Sequence, residues 1–257
     1  MLDAAMRDGR LRPGSLVVEA SGGNTGVGLA MACAVRGFRC VVVVPDGTSK
    51  EKLAVLRAFG AEVLRARSDV DGTHPEGYIG RATTYAREHG AFQPDQFENP
   101  ENPAAHQRTT ALEILEACEG RLDAFVACVG SGGTVAGIGR VLRARSPGTV
   151  IVAAAPPADS VIEGVVDEID AESTHGSPPD RVVRLSDAEA LRWTLRLARE
   201  EGILAGASSG LALGVAVQIA EELGPEKRVV TMITDTGRNY LSSYFDPDWL
   251  AAKGLTP

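Results

Sequence analysis

Two short glycine-rich segments hold the residues best suited to chemistry. Gly130-Ser131-Gly132-Gly133-Thr134 follows the strand-like run Phe125-Val126-Ala127-Cys128-Val129 and opens a helical pattern. Glycines let a backbone approach a ligand closely, and the helix beyond offers unpaired N–H groups and the positive end of its dipole. Ser131 and Thr134 add hydroxyls. These features suit a phosphate group, although a tight strand-to-helix turn with no ligand uses the same residues. Ser21-Gly22-Gly23-Asn24-Thr25-Gly26 repeats the form after Leu16-Val17-Val18-Glu19. Asn24 offers both a donor and an acceptor, and Thr25 is placed to cap the helix. A helix cap with spare glycines is the plainer alternative. Two such units in one chain favour one anionic ligand held between two lobes.

Other motifs exclude more than they suggest. The Gly130 loop lacks the Gly-Lys-Ser/Thr of a Walker loop. The next strand ends Ala153-Ala154-Ala155-Pro156, without the acidic residue that holds a ribose in dinucleotide folds. Gly206-Ala207-Ser208-Ser209-Gly210 matches the nucleophile elbow of α/β-hydrolases, but that fold needs a histidine after the serine, and the last histidine is His175. Ser208 reads instead as a hydroxyl at a helix start, facing a bound group. His74, His89, His106 and His175 have no metal-ligand spacing and read as solvated or capping residues. Cys33, Cys40, Cys118 and Cys128 form no C-x-x-C pair and read as reduced core thiols.

The elements that must position these residues alternate. Strand-like runs at 16–19, 40–44, 61–64, 124–129, 149–155 and 228–233 are separated by helical patterns. The helices are expected over Val27–Val35, Lys50–Phe59, Tyr78–His89, Thr109–Cys118, Thr134–Ala144, Asp187–Glu201 and Leu211–Leu223. Short, continuous, β-branched strands between helices predict an α/β fold with mostly parallel sheets covered on both faces. The stretch 156–182 reads as a surface loop, and the two X-Pro steps of Asn99-Pro100-Glu101-Asn102-Pro103 disfavour helix. Lobes of residues 1–98 and 99–257 are expected.

Composition narrows the partners. The net charge of −8 argues against nucleic acid or an anionic membrane. No apolar run approaches the ~20 residues of a membrane span, and no signal segment opens the chain, so the cytoplasm is the expected location. Only Lys50, Lys52, Lys227 and Lys253 carry amines.

The ordered motifs resemble the pyridoxal phosphate (PLP) enzymes of the cysteine synthase and cystathionine β-synthase family. Besides the two loops, the resemblance rests on Val44-Pro45 with Ser49-Lys50-Glu51-Lys52, and on Leu56-Arg57-Ala58-Phe59-Gly60-Ala61-Glu62-Val63. It continues through Gln96-Phe97-Glu98-Asn99-Pro100, Asn102-Pro103-x-x-His106-x-x-Thr109-Thr110 and Asp235-x-Gly237-Arg238-x-Tyr240-Leu241-Ser242. It implies a two-lobed, three-layer α/β/α architecture of PLP fold type II, similar to the tryptophan synthase β subunit. It also implies roles. Asn24 would bond the PLP 3′-oxygen; Gly130, Ser131, Gly132, Gly133 and Thr134 would hold its phosphate; Ser208 would meet its pyridine nitrogen. Ser21, Gly22, Gly23, Thr25 and Gln96 would bind the amino acid carboxylate. The implied reaction is β-replacement on serine or an O-activated serine by sulfide or a thiol, in a homodimer with no metal. Gly22 stands where the family usually has serine, Ala155 replaces an acidic residue, and Thr234 replaces the usual proline. No lysine fits the Schiff-base role. By the resemblance Met1 falls within the helix that begins at that lysine, so a fragment or a mis-set start is expected. A non-catalytic member binding PLP or a partner is the alternative.

Overall fold

The computed structural model describes residues 1–255. It divides into two compact units, Met1–Asn99 and Pro100–Pro257.

The first unit runs α1 (Leu2–Arg7), β1 (Leu16–Ala20), α2 (Asn24–Arg36), β2 (Arg39–Pro45), α3 (Lys50–Ala58), β3 (Glu62–Ala66) and α4 (Tyr78–His89). Its three strands lie parallel in the order β1-β2-β3. Side chains alternate across a strand, so one sheet serves two cores. Val17, Cys40, Val42 and Val44 pack with Leu29, Ala30, Cys33, Leu53 and Leu56 of α2 and α3. Val18, Ala20, Val41 and Val43 pack instead against Tyr78, Ile79, Ala82 and Tyr85 of α4. Glycines close α2 and α4: Gly37 and Gly90 adopt φ of 69° and 61°, where a side chain is strained.

The second unit runs α5 (Glu101–Arg108), α6 (Thr110–Ala117), β4 (Ala124–Cys128), α7 (Gly133–Arg145), β5 (Val150–Ala155), β6 (Arg181–Arg184), α8 (Asp187–Glu200), α9 (Ala207–Leu223), β7 (Val229–Thr231) and α10 (Pro247–Ala252). The sheet order is β6-β5-β4-β7, again parallel throughout. Phe125, Ala127, Ile151 and Ala153 face Ala111, Leu115, Val135, Ile138 and Leu142 of α6 and α7. Ala124, Val126, Val152 and Ala154 face Leu191, Leu211, Val215 and Ile219 of α8 and α9. Each large aliphatic or aromatic side chain so buried contributes about 1.5–3 kcal/mol. Both units are therefore helix–sheet–helix sandwiches with mixed α/β content.

Two elements depart from the sequence expectation. The Asn99–Pro103 stretch enters a helix, with Pro100 as the N-cap of α5 and Pro103 in its first turn. The first helical amides have no intrahelical acceptor, so proline there removes no bond. The end of the expected loop 156–182 is a strand: β6 pairs with β5 from Val152↔Arg181 to Ala155↔Arg184.

Candidate functional site

In the first unit the Ser21–Gly26 loop leaves the C-terminal end of β1 and starts α2. Thr25 does not cap that helix. The N-cap is Gly23, with no side-chain cap, and Thr25 lies inside the first turn. Ser21 supplies the missing acceptor: its Oγ takes the Gly23 N–H at 3.2 Å and the Gly26 N–H at 3.0 Å. Gly26 is tightly held, because a Cβ there would lie 2.9 Å from Val42 Cγ1. Gln96 reaches the same strand end, donating from Nε2 to the Ala20 carbonyl at 2.9 Å. Its neighbour Asp95 adopts φ of 53°, in the left-handed region. The structure thus brings Gln96 to the end of β1 next to Ser21, with Gly22 and Gly23 in the turn that follows and Asn24 opening α2.

Gly22 is enforced by its neighbours. A Cβ would sit 2.9 Å from both Pro45 Cδ and Thr48 Oγ1, and Thr48 is anchored by its own bond to the Pro45 carbonyl at 2.8 Å. Gly22→Ser is therefore expected to cost about 1–2 kcal/mol through overpacking. Thr48→Ala should recover part of that loss. Urea melts of the two single variants and the double variant measure the coupling; equal losses in both backgrounds would assign the obstruction to Pro45 alone.

Glu19, read beforehand only as part of a strand, is buried at the end of β1 with 1% exposure. Its Oε1 accepts the Ala20 N–H at 3.0 Å, and no donor among the described residues reaches Oε2 in full hydrogen-bonding geometry. Burial outweighs the weaker pull of nearby amides and raises its carboxyl from an ordinary 4.5 to about 8. Glu19 is a neutral acid at pH 7.

In the second unit the Gly130–Thr134 loop joins β4 to α7. The N-cap of α7 is Gly132, in the left-handed region at φ 77°, and as a glycine it has no side chain of its own to cap the helix. α8 behaves differently, its start closed by a Ser186–Glu189 capping box. The α7 terminus presents the positive end of its dipole, which favours an anion.

α5 and the 170–176 segment hold the loop. Asn102 Nδ2 donates to Ser131 Oγ at 2.9 Å, and His175 Nε2 meets the Ser131 carbonyl at 2.8 Å. One helical turn after Asn102, His106 places Nδ1 2.9 Å from Thr110 Oγ1 and Nε2 3.3 Å from Thr134 Oγ1. Burial lowers the His106 pKa, so its ring is neutral at pH 7 and gives one donor and one acceptor. His106 and His175 are thus neither solvated nor capping residues. Their signal in the sequence was Asn102 and His106 at i, i+4, which sets both on one face of a helix. That helix packs closely on α7: a Cβ on Gly137 would lie 2.3 Å from the Pro103 carbonyl.

Ser208 lies in the first turn of α9, whose N-cap Gly206 also lacks a side-chain cap. The Cys128 thiol at the end of β4 donates to the Ser208 carbonyl at 3.2 Å. Burial pushes that thiol up to about 12, so it keeps its proton. The Gly130–Thr134 loop and the backbone of Ser208 thus meet the same end of β4. Thr234, just after β7, places its Oγ1 3.1 Å from Ser208 Oγ.

None of the four lysines belongs to either loop, and Lys52 is buried on α3. Lys227 pairs with Asp123 at 2.9 Å, before the start of β4 and so away from the loop. Lys253 lies over the Trp249 ring, and Lys50 and Lys52 belong to α3. Among the described residues no cluster of histidine, cysteine and carboxylate side chains could hold a metal ion, and no helix is long and apolar enough to cross a membrane.

Comparison with known proteins identifies the family. The model of the family described as pyridoxal-phosphate dependent enzyme matches residues 1–235. A cysteine synthase of Staphylococcus aureus is 41% identical over 255 residues, covering 95% of this chain and 81% of that protein. Cystathionine beta-synthase of Oryctolagus cuniculus is 38% identical over 271 residues, covering 99% of this chain. The chain spans about half (49%) of that relative's length. The crystal structure of an O-acetylserine dependent cystathionine beta-synthase from Helicobacter pylori superposes with a TM-score of 0.87 at 32% identity, over 94% of this chain and 81% of that one. The fold is that of the type II PLP enzymes, and the chain belongs to the pyridoxal-phosphate dependent enzyme family.

Proposed function

We infer that this chain binds PLP and serves β-replacement on serine or an O-activated serine, with sulfide or a thiol as the incoming group and cysteine as the product. The observation that carries the reading is the C-terminal end of β4, which runs into the glycine loop at the start of α7 and whose Cys128 thiol bonds the Ser208 carbonyl at the start of α9. The fit to the cofactor is chemical. A phosphate dianion needs several N–H and O–H donors, and the α7 amides with Ser131 and Thr134 supply them. A neutral pyridine nitrogen needs one donor, and the Ser208 hydroxyl supplies it.

The remaining roles are those that the family resemblance implies. Asn24, in the first turn of α2, would bond the cofactor's 3′-oxygen. The Ser21–Thr25 turn and Gln96 would hold the amino acid carboxylate, with backbone amides standing in for the hydroxyl that Gly22 lacks. His106 and Asn102 keep Thr134 and Ser131 turned toward the phosphate. Bound PLP supplies an electron sink for bond breaking at Cα. Overall, the Cβ–O bond breaks, the leaving group departs with its electron pair, and a C–S bond forms with loss of the thiol proton.

None of the four lysines belongs to either glycine loop. The similarity to the rabbit enzyme supports a second reading, condensation of serine with homocysteine. A homodimer acting in the cytoplasm completes the proposal.

Phosphate recognition is the decisive test. The chain should bind PLP about 100-fold more tightly than unphosphorylated pyridoxal, the worth of two charge-assisted hydrogen bonds. Fluorescence titrations with both compounds measure the ratio. Equal affinities would remove the cofactor from the Gly130–Thr134 loop and end this reading.

A further inference from the structure

Three hydroxyls meet beside the end of β7. Ser209 Oγ accepts the Thr234 N–H at 3.1 Å, Ser209 Oγ lies 3.3 Å from Thr234 Oγ1, and Thr234 Oγ1 lies 3.1 Å from Ser208 Oγ. A backbone N–H can only donate, which fixes Ser209 Oγ as an acceptor at that contact. Ser209 is fully buried, so its own hydroxyl proton must find a protein acceptor, and Thr234 Oγ1 is within reach. Thr234 Oγ1, having accepted from Ser209, keeps its own proton to donate, and Ser208 Oγ is the hydroxyl within its reach among the described residues. The Ser208 proton is then the one that points away from the chain of hydroxyls. The reverse order would leave the buried Ser209 proton without an acceptor, at the full cost of its desolvation.

We propose that Thr234 is a positioning residue that orders this hydroxyl chain and holds Ser208 as a hydrogen-bond donor to the ring nitrogen of the cofactor. The inference rests on the reading that the ring lies at Ser208. Proline, the residue usual at this position in the resembled family, has neither the N–H nor the hydroxyl, so it could set no such order. A Ser208 fixed as donor keeps the ring nitrogen neutral and hydrogen-bonded. A Ser208 free to turn can also accept, which admits a protonated ring.

The test uses 4′-deoxypyridoxine 5′-phosphate labelled with ¹⁵N in the ring. This probe keeps the phosphate, 3′-oxygen and ring nitrogen but has no aldehyde, so it needs no lysine. Its affinity is read by fluorescence titration of the full chain, and its nitrogen by the ¹⁵N chemical shift. Thr234→Val should weaken binding about 3- to 10-fold, the worth of one net hydrogen bond, and move the nitrogen resonance in the same direction as Ser208→Ala. Thr234→Ser should restore both, a rescue that a purely steric role would not give. Thr234 is exposed, so these variants are expected to fold. If Ser208→Ala moves the resonance and Thr234→Val leaves it unchanged, the ordering role is overturned while the ring stays at Ser208. If Ser208→Ala itself moves nothing, the ring is not at Ser208, and both the placement and the inference fall.

Discussion

Glu19→Gln is expected to stabilise the chain by about 3–5 kcal/mol at pH 8 and by little at pH 4. Glutamine has the shape of the neutral acid and never ionises. Glutamate at this buried site holds its proton until about pH 8, whereas in the unfolded chain it releases it near 4.5. Between those values the folded state binds more protons than the unfolded one, so the glutamate's contribution falls as pH rises. That loss begins above about 4.5 and is complete a little above 8. At about 1.4 kcal/mol per pH unit, the span gives the expected magnitude. The neighbours fix the sign: besides burial, the Asp95 charge opposes ionisation, and the Ala20, Asp95 and Gln96 amides only partly offset them. Urea denaturation of both proteins at several pH values measures the difference. A constant gap across the range would mean that Glu19 is ionised when folded.

The second large effect is expected at Gly132. Its backbone lies at φ 77°, and a Cβ there would come within 1.9 Å of the Ser173 carbonyl oxygen. Backbone cannot move aside as a flexible side chain does. Gly132→Ala should therefore cost about 3 kcal/mol or more, from the strained φ and from displacement of the 170–176 segment. That segment carries His175, which meets the Ser131 carbonyl, so the loop loses its shape along with its stability. PLP affinity should fall at least about 100-fold. Melting curves and cofactor titration together separate the outcomes. Lost stability with retained PLP affinity would show that the phosphate does not sit on this loop.

Much of this protein was legible in the residue order, because the strongest signals in it are local. The β-branched runs at 40–44 and 149–155 became β2 and β5 nearly as read, since a continuous apolar run between glycine or proline stops can only be buried. Tyr78–His89 matched α4 end to end, fixed by Gly90 at its C-terminus. β6 was not legible. Arg181-Val182-Val183-Arg184 is a short edge strand with little burial, and its pairing with β5 leaves no apolar run to see. α5 was hidden by its prolines, which a first turn tolerates.

The sequence by itself determined the class of fold, the two glycine loops and the order of motifs that placed the chain in its family, since each depends on neighbours a few residues apart. Tertiary structure alone decided which hydroxyl does what. Ser21, not Thr25, satisfies the start of α2. His106 serves a loop 28 residues further on, and Thr234 reaches Ser208 from the end of another strand. It also decided that Glu19 is a neutral acid. Hydrogen-bond direction and ionisation depend on distance and burial, and burial is created by elements far apart in the chain.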